Sequence, residues 1–89
     1  MPLETLSQQV LILKALDKRP HNTAELREMN ILSPNPRIFE LRGMGFEIET
    51  EWGQIVDSAG VPHRIGVYHL VDSSNINKRG EMVLEALKH

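Results

Sequence analysis

Apolar residues recur at helical spacing through the first half of the chain and alternate with polar ones in the middle. Leu6, Val10, Leu13 and Leu16 predict a helix over residues 5–18. Thr5 and Gln8 have capping-box spacing, Lys14, Lys18 and Arg19 gather where cations suit the helix dipole, and Pro20 ends the run. A shorter helix starts at Asn22, a good cap with Glu25 three residues on. Its apolar positions are Ala24, Leu26 and Met29, and Asn30 is a fitting left-handed stop. After Ile31-Leu32, Ser33 predicts the cap of a third helix with Pro34 at its first position. Pro36 is tolerated in the first turn, Ile38 and Leu41 point inward, and Gly43 or Gly45 ends the helix.

The period then changes from helical to two. Phe46 to Trp52 reads as a strand, Asp57-Ser58-Ala59-Gly60 as a turn, and Val61 to Leu70 as the partner strand. Strands this long for such a turn predict a protruding hairpin. Ile48, Trp52, Tyr68 and Leu70 are expected on the core face. The other face mixes Glu47, Glu49 and Glu51 with Ile65 and Val67. A break at Asp72–Asn75 precedes a last helix over 76–88, with Ile76, Val83, Leu84 and Leu87 on one side. Gly80 is expected to weaken it by about 1 kcal/mol relative to Ala. The order helix, helix, helix, hairpin, helix defines an α+β, winged helix-turn-helix layout: three helices, a two-stranded β-hairpin wing and an added C-terminal helix. Residues 1–72 are expected to form the domain. Residues 73–89 are expected to pack back on the first helix or the hairpin, or to pair with a second copy.

Composition narrows the chemistry. The 89 residues make one domain, and the absence of cysteine excludes disulfides, iron–sulfur clusters and thiolate zinc sites. No apolar run is long enough to span a bilayer, and MPLETLSQQ lacks signal-peptide features, so a cytoplasmic chain is expected. The net charge is −2 and the pI 6.0, which argues mildly against nucleic acid. Up to Gly45, six Lys/Arg face five Asp/Glu; from Phe46 onward, four face seven. Any electrostatic function therefore rests on local patches.

RIFELRGMGFEIETEW, followed by a turn and VYHLV, resembles a group of small winged helix-turn-helix proteins common in phages and bacterial mobile elements. Arg37, Ile38, Glu40, Leu41, Arg42, Gly45, Phe46 and Ile48 carry the pattern, and Tyr68 and Leu70 match its closing strand. The resemblance covers roughly residues 5–71. It implies a small DNA-binding regulator or accessory factor.

On that layout the third helix enters the major groove. Asn35, able to pair with adenine, is the first candidate base reader, with Arg37 and Phe39 beside it. Arg42, Lys14, Lys18 and Arg19 are candidate phosphate contacts, and Arg64 on the wing adds another, with His63 a weaker one. Few cations imply a shallow salt dependence, on the order of −3 in log K against log salt. Each has a structural alternative. Arg42 could pair with Glu25, Glu28 or Glu40, Glu40 could partner Arg37 or Arg27, and Pro34 and Pro36 could simply stiffen the helix start.

His21, His63, His69 and His89 are not expected to bind metal, since His63 and His69 lie roughly 20 Å apart along a strand. No nucleophile, phosphate-loop or metalloprotease motif is present, so neither enzyme activity nor a cofactor is expected. The expected activity is non-enzymatic binding of double-stranded DNA, with a homodimer through the last helix as one architecture. The rival is a winged helix that binds protein, using Phe39 and Met44 as an exposed apolar anchor and the acidic strand face.

Overall fold

The computed structural model describes residues 4–88. In chain order the elements are α1 (Thr5–Lys18), β1 (His21–Asn22), α2 (Thr23–Glu28), α3 (Pro34–Gly43), β2 (Glu47–Val56), β3 (Pro62–Asp72) and α4 (Lys78–Leu87). The sheet is antiparallel in the order β1-β3-β2. The α+β class and the helix–helix–helix–hairpin–helix order match expectation. β1 does not appear in the sequence pattern. It is a two-residue strand that pairs His21 with Tyr68 and Asn22 with Val67, too short to leave a period.

α1 has the expected bounds but a shifted face. Ile12 and Leu13 are fully buried with Gln9 and Leu16, while Leu6 is half-exposed. The Thr5–Gln8 capping box is absent. Glu4 is the N-cap and gives no side-chain bond, and the Thr5 hydroxyl accepts from Arg37 instead. α2 is capped as its sequence predicts. Asn22 Oδ1 accepts from the Glu25 amide at 2.8 Å, and Glu25 Oε1 accepts from the Asn22 amide at 3.0 Å. Asn30 stops the helix at φ 68°. α3 starts with Pro34 at its first position, although Ser33 contributes no side-chain cap bond.

Ile12, Leu13, Leu16, Leu26, Ile31, Ile38, Leu41, Phe46 and Ile48 form one core under the three helices and the base of the sheet. Met44, expected to be an exposed anchor, is buried in it because it caps α3 at the point where α4 closes over. Trp52, expected in the core, lies on the expected sheet face but is 58% exposed. Both strands run past the helices, so that face is covered only near Ile48 and Tyr68.

Gly45, at φ 102°, turns the chain from α3 into β2, and a Cβ there would collide with the Asn75 carbonyl oxygen. The last helix starts later than its pattern suggests. Asn77 is its cap, accepting from the Gly80 amide at 3.0 Å, and Ile76 precedes it. Val83 enters the core, with Ile76 and Leu87 packed against it, so α4 folds back on α1. The Asn77 amide also donates to the Met44 carbonyl at 2.8 Å, tying the α4 start to the α3 end.

Candidate nucleic-acid interface

α3 lies across the base of the hairpin, and two side chains set its angle. Tyr68 donates its hydroxyl to Asn35 Oδ1 at 2.6 Å. Arg42 donates from Nε to the Ile48 carbonyl at 2.9 Å and from Nη2 to Thr50 Oγ1 at 2.8 Å, with its guanidinium 5.9 Å from the Tyr68 ring centre. Arg42 therefore takes neither Glu25, Glu28 nor Glu40 as its partner in these bonds. A charge-assisted bond to a backbone carbonyl does the same job of fixing helix to strand.

Thr50 stands opposite Tyr68, Trp52 opposite Gly66, and Gln54 opposite Arg64. Opposed and alternate residues share a sheet face, so Trp52 and Arg64 continue outward on the side that α3 covers at the base. Arg64 lies 4.1 Å from the Trp52 ring centre, a cation–π contact that stiffens it. Trp52 in turn lies over Gly66, where a Cβ would stand 3.2 Å from Thr50 Cγ2 and from Trp52 Cζ3. At about 100° per residue, Asn35, Phe39 and Arg42 fall on the wing side of α3. Phe39 is 78% exposed. Helix face and wing face thus form one continuous surface.

Arg37 and Glu40 lie on the opposite flank of α3, toward α1. Arg37 Nη2 donates to Glu40 Oε2 at 3.2 Å and Nη1 to Thr5 Oγ1 at 3.0 Å. Its Nε approaches Glu40 Oε1 to 2.9 Å without hydrogen-bond alignment, so that contact is electrostatic only. Gln9 Nε2 completes the cluster by donating to Glu40 Oε1 at 3.0 Å. Glu40 is therefore Arg37's structural partner, one of the two pairings its position suggests.

Lys14, Lys18 and Arg19 are not brought to the α3–wing surface. They border a separate groove between α1 and the β1–α2 segment, floored by Leu11, Ala15 and Met29. Arg19 is held by Glu25 at 2.8 Å. That guanidinium, and after it the Asn22 amide, keeps the Glu25 carboxyl below its usual range.

At the wing tip, Asp57 Oδ1 accepts from the Ala59 and Val61 amides, each at 2.9 Å, and His63 Nε2 lies 2.8 Å from Asp57 Oδ2. His63 first, then these amides, holds the Asp57 carboxyl below its usual range. Asp57 thus engages His63 and not Arg64. Among the described residues no group of three or more His, Asp or Glu side chains could hold a metal ion, and His89 lies outside them. None of the described helices is long and apolar enough to cross a membrane.

The Tyr68–Asn35 bond, the contacts of Gln9 with Glu40 and of Thr5 with Arg37, and the Trp52–Arg64 stack were not legible in the sequence. Each joins residues distant in the chain or set by strand register. Only the small residue Gly66, facing a large one, hints at the stack.

Three helices with a short middle one, a hairpin beyond them and a third helix braced on that hairpin define a winged helix-turn-helix protein. A family model described as a winged helix-turn-helix domain matches residues 7–73, and the chain belongs to that family. No curated protein matches the chain, and no solved structure does.

Proposed function

We propose that the chain is a non-enzymatic double-stranded DNA-binding protein, a small transcriptional regulator or an accessory factor of a phage or mobile element. α3 lies in the major groove and the hairpin wing on the backbone. The observation that carries this reading is the continuous surface of Asn35, Phe39, Arg42, Trp52 and Arg64, with Arg64 held off any carboxylate by its stack on Trp52. Asn35 keeps its amide nitrogen for a base edge while its oxygen takes the Tyr68 hydroxyl. Arg37 acts by holding α3 on α1, so its contribution to binding is the helix's position. Arg42 and Arg64 supply the phosphate contacts.

Selection of duplexes from a random library at about 50 mM salt tests this. An enriched motif supports it, and two inverted half-sites would also support a two-fold dimer through α4. No retained duplex overturns it. With two cations on the surface, log K should fall with log salt with a slope on the order of −2, and a slope near zero overturns the phosphate contacts.

Phe39 favours a second reading, a winged helix that binds protein, because so exposed an aromatic on a net-acidic chain suits an apolar anchor. Arg64→Ala should weaken DNA binding and spare a protein partner, whereas Phe39→Ser should abolish the protein contact.

A further inference from the structure

The groove bordered by Lys14, Lys18 and Arg19 is free of α3 and of the wing, so the proposed DNA surface leaves it unused. It is a hollow of about 520 Å³ with an apolar floor of Leu11, Ala15 and Met29. Lys14 and Lys18 are exposed and stand one helical turn apart, about 6 Å along α1. Neither has a carboxylate partner among the described residues, whereas Arg19 is occupied by Glu25.

The same chain carries the opposite charge elsewhere. β2 is an outer strand of the sheet, and Glu47, Glu49 and Glu51 line one of its faces about 6.8 Å apart. Glu49 and Glu51 border a second hollow, of about 570 Å³, lined also by His69 and the half-exposed Val71. Glu51 is paired with His69 at 2.9 Å; Glu47 and Glu49 are exposed and carry no ion pair among the described residues.

We propose that the cationic groove of one copy receives the acidic β2 face of a second copy. Lys14 and Lys18 reach Glu49 and Glu47, whose spacing along the strand nearly matches theirs. Val71 then meets the Leu11–Met29 floor. The two surfaces are different patches on the same chain, so the contact is head-to-tail, and a single contact leaves one copy with a free acidic face and the other with a free groove. It builds a row and not a closed pair. Exposed ion pairs are individually weak and are screened by salt, so the free protein associates only at high concentration. Copies held side by side on a common scaffold would associate far more readily, through effective concentration.

Charge reversal with complementation tests this on the full chain. Sedimentation equilibrium at high protein concentration and low salt should show the parent's average mass rising past twice 10.1 kDa and falling back on adding salt. Lys14→Glu/Lys18→Glu and Glu47→Lys/Glu49→Lys should each stay at 10.1 kDa. An equimolar mixture should recover association past one pair with the two variants alternating, because the unreversed groove meets the unreversed face and the reversed groove meets the reversed face. Thermal unfolding of each variant checks that it is folded, and the mixture shows that the surviving surface is intact. A parent that stays monomeric overturns the proposal. So does a mass that stops at two copies and is unmoved by either reversal, which assigns pairing to α4. A mixture that stays monomeric while the parent associates overturns it as well.

Discussion

Single side chains set both the stability of the helix pair and the pose of α3. Asn22 and Glu25 cap α2 reciprocally, and Arg19 adds the ion pair. Asn22→Ala should cost about 1 kcal/mol in urea unfolding, the usual value of a lost cap. The pH dependence has a definite sign. Glu25 titrates below its usual range in the folded chain, so its stabilisation is complete above the unfolded value, about 4.3, and is lost as pH falls through the folded value. Glu25→Gln, which removes the titrating carboxylate, should therefore flatten the acid limb of stability against pH, and an unchanged limb would show that Glu25 does not contribute to it. Arg42 is the second such residue. Arg42→Ala removes two hydrogen bonds that brace α3 against the hairpin, for an expected loss of about 1–3 kcal/mol. DNA binding should weaken further than Arg64→Ala weakens it, since both a contact and the helix's angle are lost.

Between elements, small residues decide how closely backbones approach. Propensity alone makes Gly80→Ala stabilising by about 1 kcal/mol. The fold reverses that sign, because a Cβ at Gly80 would stand 2.8 Å from Ile76 Cβ and 3.1 Å from the Met44 carbonyl oxygen. Neither neighbour is a flexible side-chain end, so α4 must lift off α3. Gly80→Ala should lower the urea midpoint, and a raised midpoint would mean that α4 moves freely at that contact. The same residue shows what the sequence could tell. Helix order, the Asn22 cap, Pro34 at a helix start, the Gly45 turn and the hairpin were legible because local chemistry or a period of 3.6 or 2 encodes them. The depth of Trp52, the burial of Met44, the role of Gly80 and the partner of Arg42 were not. They depend on where one element stops covering another, which no local pattern records. The α3 side of the candidate site was partly legible for the same reason. Its outward residues follow from Ile38 and Leu41 facing in, but the separation of Lys14 and Lys18 from it follows from how α1 is rolled.

At the scale of the whole molecule, the question is where the folding unit ends. The hairpin's last paired residue is Asp72 and the family match ends at 73, which suggests a domain that is complete without α4. The core argues for a larger unit. Val83 is 2% exposed within it, and Ile76 and Leu87 pack against it. The 75–80 segment also closes over Gly45 and the end of α3. Removing three apolar side chains from such a site costs about 1–3 kcal/mol each. A chain of this size has only about 5–10 kcal/mol in all. A chain ending at Asp72 should therefore lose most of its stability, and the loss should fall first on Met44 and the α3 end, which α4 covers. α3 is also the helix proposed to enter the groove, so truncation should weaken DNA binding even at temperatures where the shortened chain remains folded. Circular dichroism melting of the two lengths, with duplex binding measured below both transitions, separates the outcomes. Equal melting temperatures would make α4 an appendage free to pair with another copy. A lowered one with weakened binding would make it the fourth helix of a single unit that fixes α3 from behind while the wing fixes it from the front.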